Sequence, residues 1–139
     1  DENSRMILER LRADYIIEKD VKVTLTNVAK VFFQFALERP QFYYFMMTMM
    51  YSAKNSETYI AAKPWISQIY QELITIFDRW KSVLGNMNGR QDQFARSYFG
   101  FLNQYLYSIK EEIENGRIYT VDCKMIEGII HQFMYGIVV

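Results

Sequence analysis

Few side chains in this sequence are equipped for covalent chemistry. His131 is the only histidine and Cys123 the only cysteine among 139 residues. One histidine, without Cys or carboxylate partners at suitable spacing, cannot build a zinc site. It falls beside an apolar stripe and reads as a solvent-facing or hydrogen-bonded structural residue. Cys123 lacks a local metal motif, no acidic cluster resembles a calcium loop, and no Gly-rich phosphate loop is present. A carboxylate metal centre needs paired Glu-x-x-His motifs, which a single histidine nearly excludes. Glu111 and Glu112 read as solvated helix residues, and nothing favours a nucleophilic triad. The expectation is a protein that is not an enzyme, with no catalytic residues, no metal and no cofactor.

The chemistry this sequence can do is recognition. Ten Phe, eleven Tyr, two Trp and eight Met supply large apolar area, hydrogen-bonding tips and adaptable thioethers. Many of these must form ordinary core. As a set they also suit a cavity for an apolar or aromatic ligand.

Composition narrows the rest. Half the residues are hydrophobic, and sixteen basic side chains cancel sixteen acidic ones. Disorder is disfavoured, and no basic excess exists to neutralise phosphates, so this chain is not expected to bind DNA alone. One cysteine allows no internal disulfide, which fits a reducing, cytoplasmic setting. The longest apolar block, Phe42 to Tyr51 with Thr48 inside, is far short of the roughly 20 residues of a membrane span.

Hydrophobic residues recur at three and four nearly throughout, which predicts helices. Ser4 could cap a first helix to about Glu18, carrying Ile7, Leu8, Leu11, Tyr15 and Ile16. In it Arg5, Arg10, Arg12 and Lys19 interleave with Glu2, Glu9, Asp14 and Glu18, as on a solvated face. Thr24 to Glu38 follows and stops before Pro40, which can open the next helix at its first position. That helix, Pro40 to Ser52, is apolar on nearly every side and is expected in the middle of the domain. Lys54 to Lys63 reads as a polar connection, and Pro64 as the start of a long helix to about Leu84. Gly85 to Gly89 is a turn. Arg90 to Asn115 is one helix with Gly116 beyond it, and Thr120 caps a last helix.

Three stretches carry a family resemblance. FFQFALERPQFYYFMM, Phe32 to Met47, contains an aromatic–Ala–x–Glu–x–Pro turn before an apolar helix. IKEEIENGRI, Ile109 to Ile118, closes a long helix, and IIHQFMYGIVV, Ile129 to Val139, ends the chain with a late Gly136. Their order and spacing resemble the C-terminal domain of TetR-type transcriptional repressors. The three-helix DNA-binding head of that family is not found here. The resemblance implies an all-α antiparallel helical bundle, with residues 1–20 the end of a linker toward such a head. Residues 21–139 would then be a ligand-binding and dimerisation domain.

It also implies two sites. The helices surrounding the family's pocket here carry Phe32, Phe35, Tyr43, Met46, Met47, Met50, Trp65, Ile69, Tyr70, Phe77, Tyr98 and Phe99, with Gln34 and Gln68 as further polar groups. The last two helices would make a four-helix bundle with a second copy, using Phe94, Tyr98, Leu102, Tyr105, Ile109, Ile126, Ile130, Phe133, Gly136 and Ile137. Gly100, Gly128 and Gly136 could let helices approach closely. The partners expected are a second copy, a small hydrophobic or aromatic effector, and DNA only through the head. The alternative is a helical carrier of lipid or another hydrophobic ligand.

Overall fold

A computed structural model describes residues 2–15 and 20–136. Those residues form seven α-helices and no strand. They are α1 (Glu2–Tyr15), α2 (Val21–Glu38), α3 (Pro40–Met50), α4 (Glu57–Arg79), α5 (Gln91–Ser108), α6 (Lys110–Glu114) and α7 (Cys123–Tyr135). No helix among them is long and apolar enough to cross a membrane.

The first helix already runs from Glu2, so Ser4 lies inside it rather than capping it. The Ser4 hydroxyl is buried and finds no hydrogen-bond partner among the described residues. Ile7, Leu8 and Leu11 are buried as α1 packs on α2 and α4. A polar rim surrounds that apolar floor. Arg10 reaches Glu38 of α2 at 3.3 Å and Arg12 reaches Glu72 of α4 at 2.7 Å. Arg39 donates to Asn3 at 2.5 Å, and Arg5 pairs along its own helix with Glu9 at 3.9 Å. Arg5, Glu9, Arg10 and Arg12 thus serve the solvated edges of α1. Lys19 lies outside the described residues.

The central helix is α2, which touches α1, α3, α5 and α7. It starts at Val21 rather than Thr24, because the Asp20 carboxylate accepts from the Val23 amide at 3.0 Å and supplies the cap. Thr24 and Thr26 turn their hydroxyls back to the carbonyls of Asp20 and Lys22, which lets them be buried. Pro40 opens α3 at its first turn, as expected. That helix is not enclosed on every side. Tyr43, Tyr44, Met46, Met47 and Met50 face inward, whereas Gln41, Phe45 and Thr48 are exposed. With α2 and α4 as its principal neighbours, its far side meets solvent.

The start of α4 lies at Glu57, well before Pro64. Ser56 caps it by accepting from the Tyr59 amide at 3.1 Å, with Glu57 in the first turn where the dipole favours an acid. Pro64 sits inside the helix on its exposed side, where the unpaired carbonyl four residues earlier can be hydrated. The helix stops at Trp80, not Leu84, and Val83 is exposed in the turns that follow.

The expected helix from Arg90 to Asn115 is interrupted at Ile109, whose φ of −109° and ψ of 14° separate α5 from α6. Gly116, at φ 69°, then ends α6. Its amide bonds Ile113 at 3.1 Å and the Arg117 amide bonds Glu112 at 2.8 Å, the paired bonds of a Schellman stop. Asp122, not Thr120, caps α7, accepting from the amides of Lys124 and Met125. Gly136 ends α7 at φ 72°, so its role is to stop the helix. The pairs α4–α5 and α2–α7 run antiparallel. Tyr70 meets Phe99 where Phe77 meets Phe94, and Lys22 meets His131 while Phe33 and Met125 share the opposite end.

A candidate binding cleft between α3 and α5

The aromatic residues expected to line a pocket mostly fill the core against each other. Phe32 packs on Phe99 with ring centroids 4.6 Å apart and on Tyr43 at 6.5 Å. Phe77 meets Tyr98 at 6.0 Å. Phe32, Phe35, Tyr43, Met46, Ile69, Phe77, Tyr98 and Phe99 are essentially without solvent contact, and Met47 and Met50 are nearly so. Trp65 and Tyr70 are half-buried at the edge, where the Arg96 guanidinium lies 4.5 Å from the Tyr70 ring. Gln34 and Gln68 are exposed. Burial pushes the phenols of Tyr43 and Tyr98 well above their usual 10.0, and Tyr70 up to about 12. These hydroxyls are therefore neutral donors: Tyr98 donates to the Leu25 carbonyl at 2.5 Å.

One face of this core opens into a cleft. It lies between α3 and α5 and encloses about 450 Å³. From α3 and its cap come Tyr44, Met47, Thr48 and Tyr51. From α5 come Gly100, Asn103, Gln104 and Tyr107, with Lys110 of α6 at one end. Of the expected ligand residues, Met47 alone is among these. The other lining residues were missed. The available signal was Asn103: Phe99, Leu102 and Leu106 mark the inward face of α5, and a polar amide stands among them.

Asn103 is buried and spends its amide in both directions. Its Oδ1 accepts from the Tyr43 hydroxyl at 2.8 Å, and its Nδ2 donates to the Tyr51 oxygen at 3.1 Å. Tyr44 crosses the same gap, donating to the Leu106 carbonyl at 2.7 Å. Two tyrosines of one helix therefore hold α5 by hydrogen bonds, and the cleft is what lies outside those struts. Burial, and then the Glu114 carboxylate, push the Tyr44 phenol far upward, so it remains a donor at physiological pH. Lys110 stands over the Tyr44 ring at 5.6 Å and within 3.8 Å of Glu114. A Cβ built on Gly100 would meet no atom within 4 Å, because that side of α5 faces the cleft.

The residues expected at a dimer seam divide in two. Tyr98, Leu102, Ile126 and Ile130 are fully buried within the single chain and offer no area to a second copy. Phe94, Tyr105, Ile109 and Phe133 are half-buried, and Gly136 is exposed. Ile137 lies outside the described residues. Phe133 packs on Tyr98 at 5.4 Å and on Phe101 at 5.8 Å, so α5 and α7 share an aromatic seam with one edge open. Gly128 is exposed on α7, with no neighbour within 4 Å of a Cβ built on it. Neither it nor Gly100 marks a close helix contact inside the chain.

His131 is exposed, 3.2 Å from the Lys22 ammonium, with its ring tilted against that of Tyr135 at 4.8 Å. Cys123 is a free, exposed thiol at the start of α7. Among the described residues, no three His, Cys, Asp or Glu side chains gather to hold a metal ion. Compared with protein-family models, curated proteins and solved structures, the chain matches none.

Proposed function

We propose that this chain is the effector-sensing and dimerisation domain of a TetR-type repressor, with its small effector seated between α3 and α5. The α3–α5 cleft carries the reading. Its volume and its mixture of aromatic, thioether and amide walls suit a small hydrophobic or aromatic ligand. Its two walls belong to helices packed into the bundle: α5 lies along α4, and α4 holds α1 through Glu72 and Arg12. A ligand that prefers one spacing of α3 and α5 shifts the population toward it. The proposed output is α1, leading to a DNA-binding head. In this reading a second copy covers the open edge of the α5–α7 seam. The carrier alternative calls for an enclosed cavity, whereas this cleft is about half open to solvent, with its lining residues Tyr51 and Tyr107 exposed.

The test is a thermal-shift panel of hydrophobic aromatic compounds, neutral, anionic and cationic, run on the wild type and on Gly100→Leu. Gly100 lines the cleft and a Cβ there meets no atom within 4 Å, so the larger side chain is expected to occupy the cleft. At least one compound is expected to stabilise the wild type, by about 2.7 kcal/mol at a hundredfold excess over Kd, and to leave the variant unmoved. A panel without a stabiliser, or one that stabilises both proteins equally, would overturn the assignment.

A further inference from the structure

We infer that the cleft takes an elongated apolar carboxylate, its anionic head at Lys110 and its body over Met47 and Gly100. The inference rests on the reading of the cleft as an effector site and gives that effector a chemical class.

Charge is the first argument. Among the side chains lining the cleft, Lys110 is the charged one; the others are Tyr, Met, Thr, Gly, Asn and Gln. A carboxylate there gains a charge-assisted hydrogen bond, stronger than a neutral one. An ammonium ligand meets a like charge instead.

The direction of the hydrogen bonds is the second. Tyr43 donates to Asn103, and Asn103 donates to the Tyr51 oxygen, so the Tyr51 proton remains to be given. The Tyr44 and Thr48 protons are already spent on the carbonyls of Leu106 and Tyr44. The cleft thus offers the Lys110 ammonium and the Tyr51 and Tyr107 hydroxyls as donors, with Gln104 able to donate or accept, so a ligand that brings acceptors is matched best.

Spacing is the third. Lys110 lines the cleft from the start of α6, beyond the break at Ile109, and Asn103 lines it from α5. Gly100 lies one turn further on the same side. An acceptor held at Lys110 therefore leaves an apolar body lying along Met47 toward the space beside Gly100. Glu114, 3.8 Å from the Lys110 ammonium, competes with the ligand for that charge. Both side chains are partly exposed, so the pair is weak and displaceable.

Calorimetric titration of the whole chain at neutral pH, with three probes of one shape, tests this: phenylbutyrate, phenylbutyramide and phenylbutylamine. The acid is expected to bind roughly tenfold tighter than the amide, the difference between a charged and a neutral hydrogen bond, and the amine weakest. Lys110→Met should bring the acid down to the level of the amide and leave the amide unchanged. Glu114→Gln should tighten the acid alone. An amide that binds as well as the acid, or an acid indifferent to Lys110→Met, overturns the carboxylate and leaves the cleft standing. Binding of no probe, or equal binding by Gly100→Leu, overturns both.

Discussion

The Tyr43 hydroxyl on α3 donates a 2.8 Å hydrogen bond to Asn103 Oδ1 on α5, and both side chains are buried. Tyr43→Phe keeps the ring and leaves the buried Oδ1 without that donor. The expected loss is about 1–3 kcal/mol of unfolding free energy in urea. Adding Asn103→Leu should cost less than the sum of the two single changes, since the polar partner leaves with it. Strict additivity would show that the two groups do not depend on each other.

Alkaline pH should unfold the chain through its buried phenols. Burial, ahead of neighbouring tyrosines, raises Tyr43 and Tyr70; burial raises Tyr98; and burial, ahead of Glu114, raises Tyr44. A phenol whose folded pKa exceeds its unfolded value supports folding fully below the unfolded value. That support is lost as pH rises through the folded one. Stability is therefore expected to hold below about pH 10 and to fall above it. Phenolate absorbance should show a cooperative step that coincides with loss of helical circular dichroism. Complete ionisation with the helices intact would contradict the burial of these groups.

Pro64 removes one ladder hydrogen bond from α4 at an exposed position. Pro64→Ala restores the donor but frees the unfolded chain. The net gain expected is about 1–2 kcal/mol, seen as a raised melting temperature. A lower melting temperature would mean that the proline's restriction of the unfolded chain outweighs the restored hydrogen bond.

Gly128 tests the second copy. Gly128→Arg places a bulky charge where a Cβ meets no atom of the chain. Light scattering is expected to give a dimer for the wild type and a monomer of unchanged helicity for the variant. Phe133→Glu would be a poorer test, because Phe133 also packs on Phe77 and Tyr98 inside the chain. A monomeric wild type would remove the dimer from the proposed function.

The sequence makes the helices legible where one strong signal governs. Pro40 starts α3, and the stripe of Val28, Phe32 and Phe35 is the inner side of α2. It misleads where two signals compete. Pro64 reads as a helix start, but Ser56 and Glu57 form a better one seven residues earlier, and an exposed proline is tolerated within α4. Thr120 reads as a cap, but the Asp122 carboxylate reaches two amides at once. The cleft was largely illegible for a different reason. Composition shows how many aromatic rings there are, not whether they pack on one another, and here Phe32, Tyr43, Phe77, Tyr98 and Phe99 do. The residues left to line open space are those on the outer shoulder of the same helices. A polar residue at a core position, Asn103, was the local mark of that shoulder.

The setting of α1 makes the surrounding medium part of any signal that passes through it. Ile7, Leu8 and Leu11 hold its floor by apolar contact, which does not depend on mobile ions. The Arg12–Glu72 pair, its carboxylate largely covered, is screened little, whereas Arg10–Glu38 holds the rim at partly exposed positions. There, dissolved salt screens charge over a Debye length of about 8 Å at physiological ionic strength. Dilute buffer therefore strengthens the edge contact of α1 with α2. Concentrated salt leaves the apolar floor and the covered pair in place and weakens that edge, so the hold of α2 on α1 depends modestly on ionic strength.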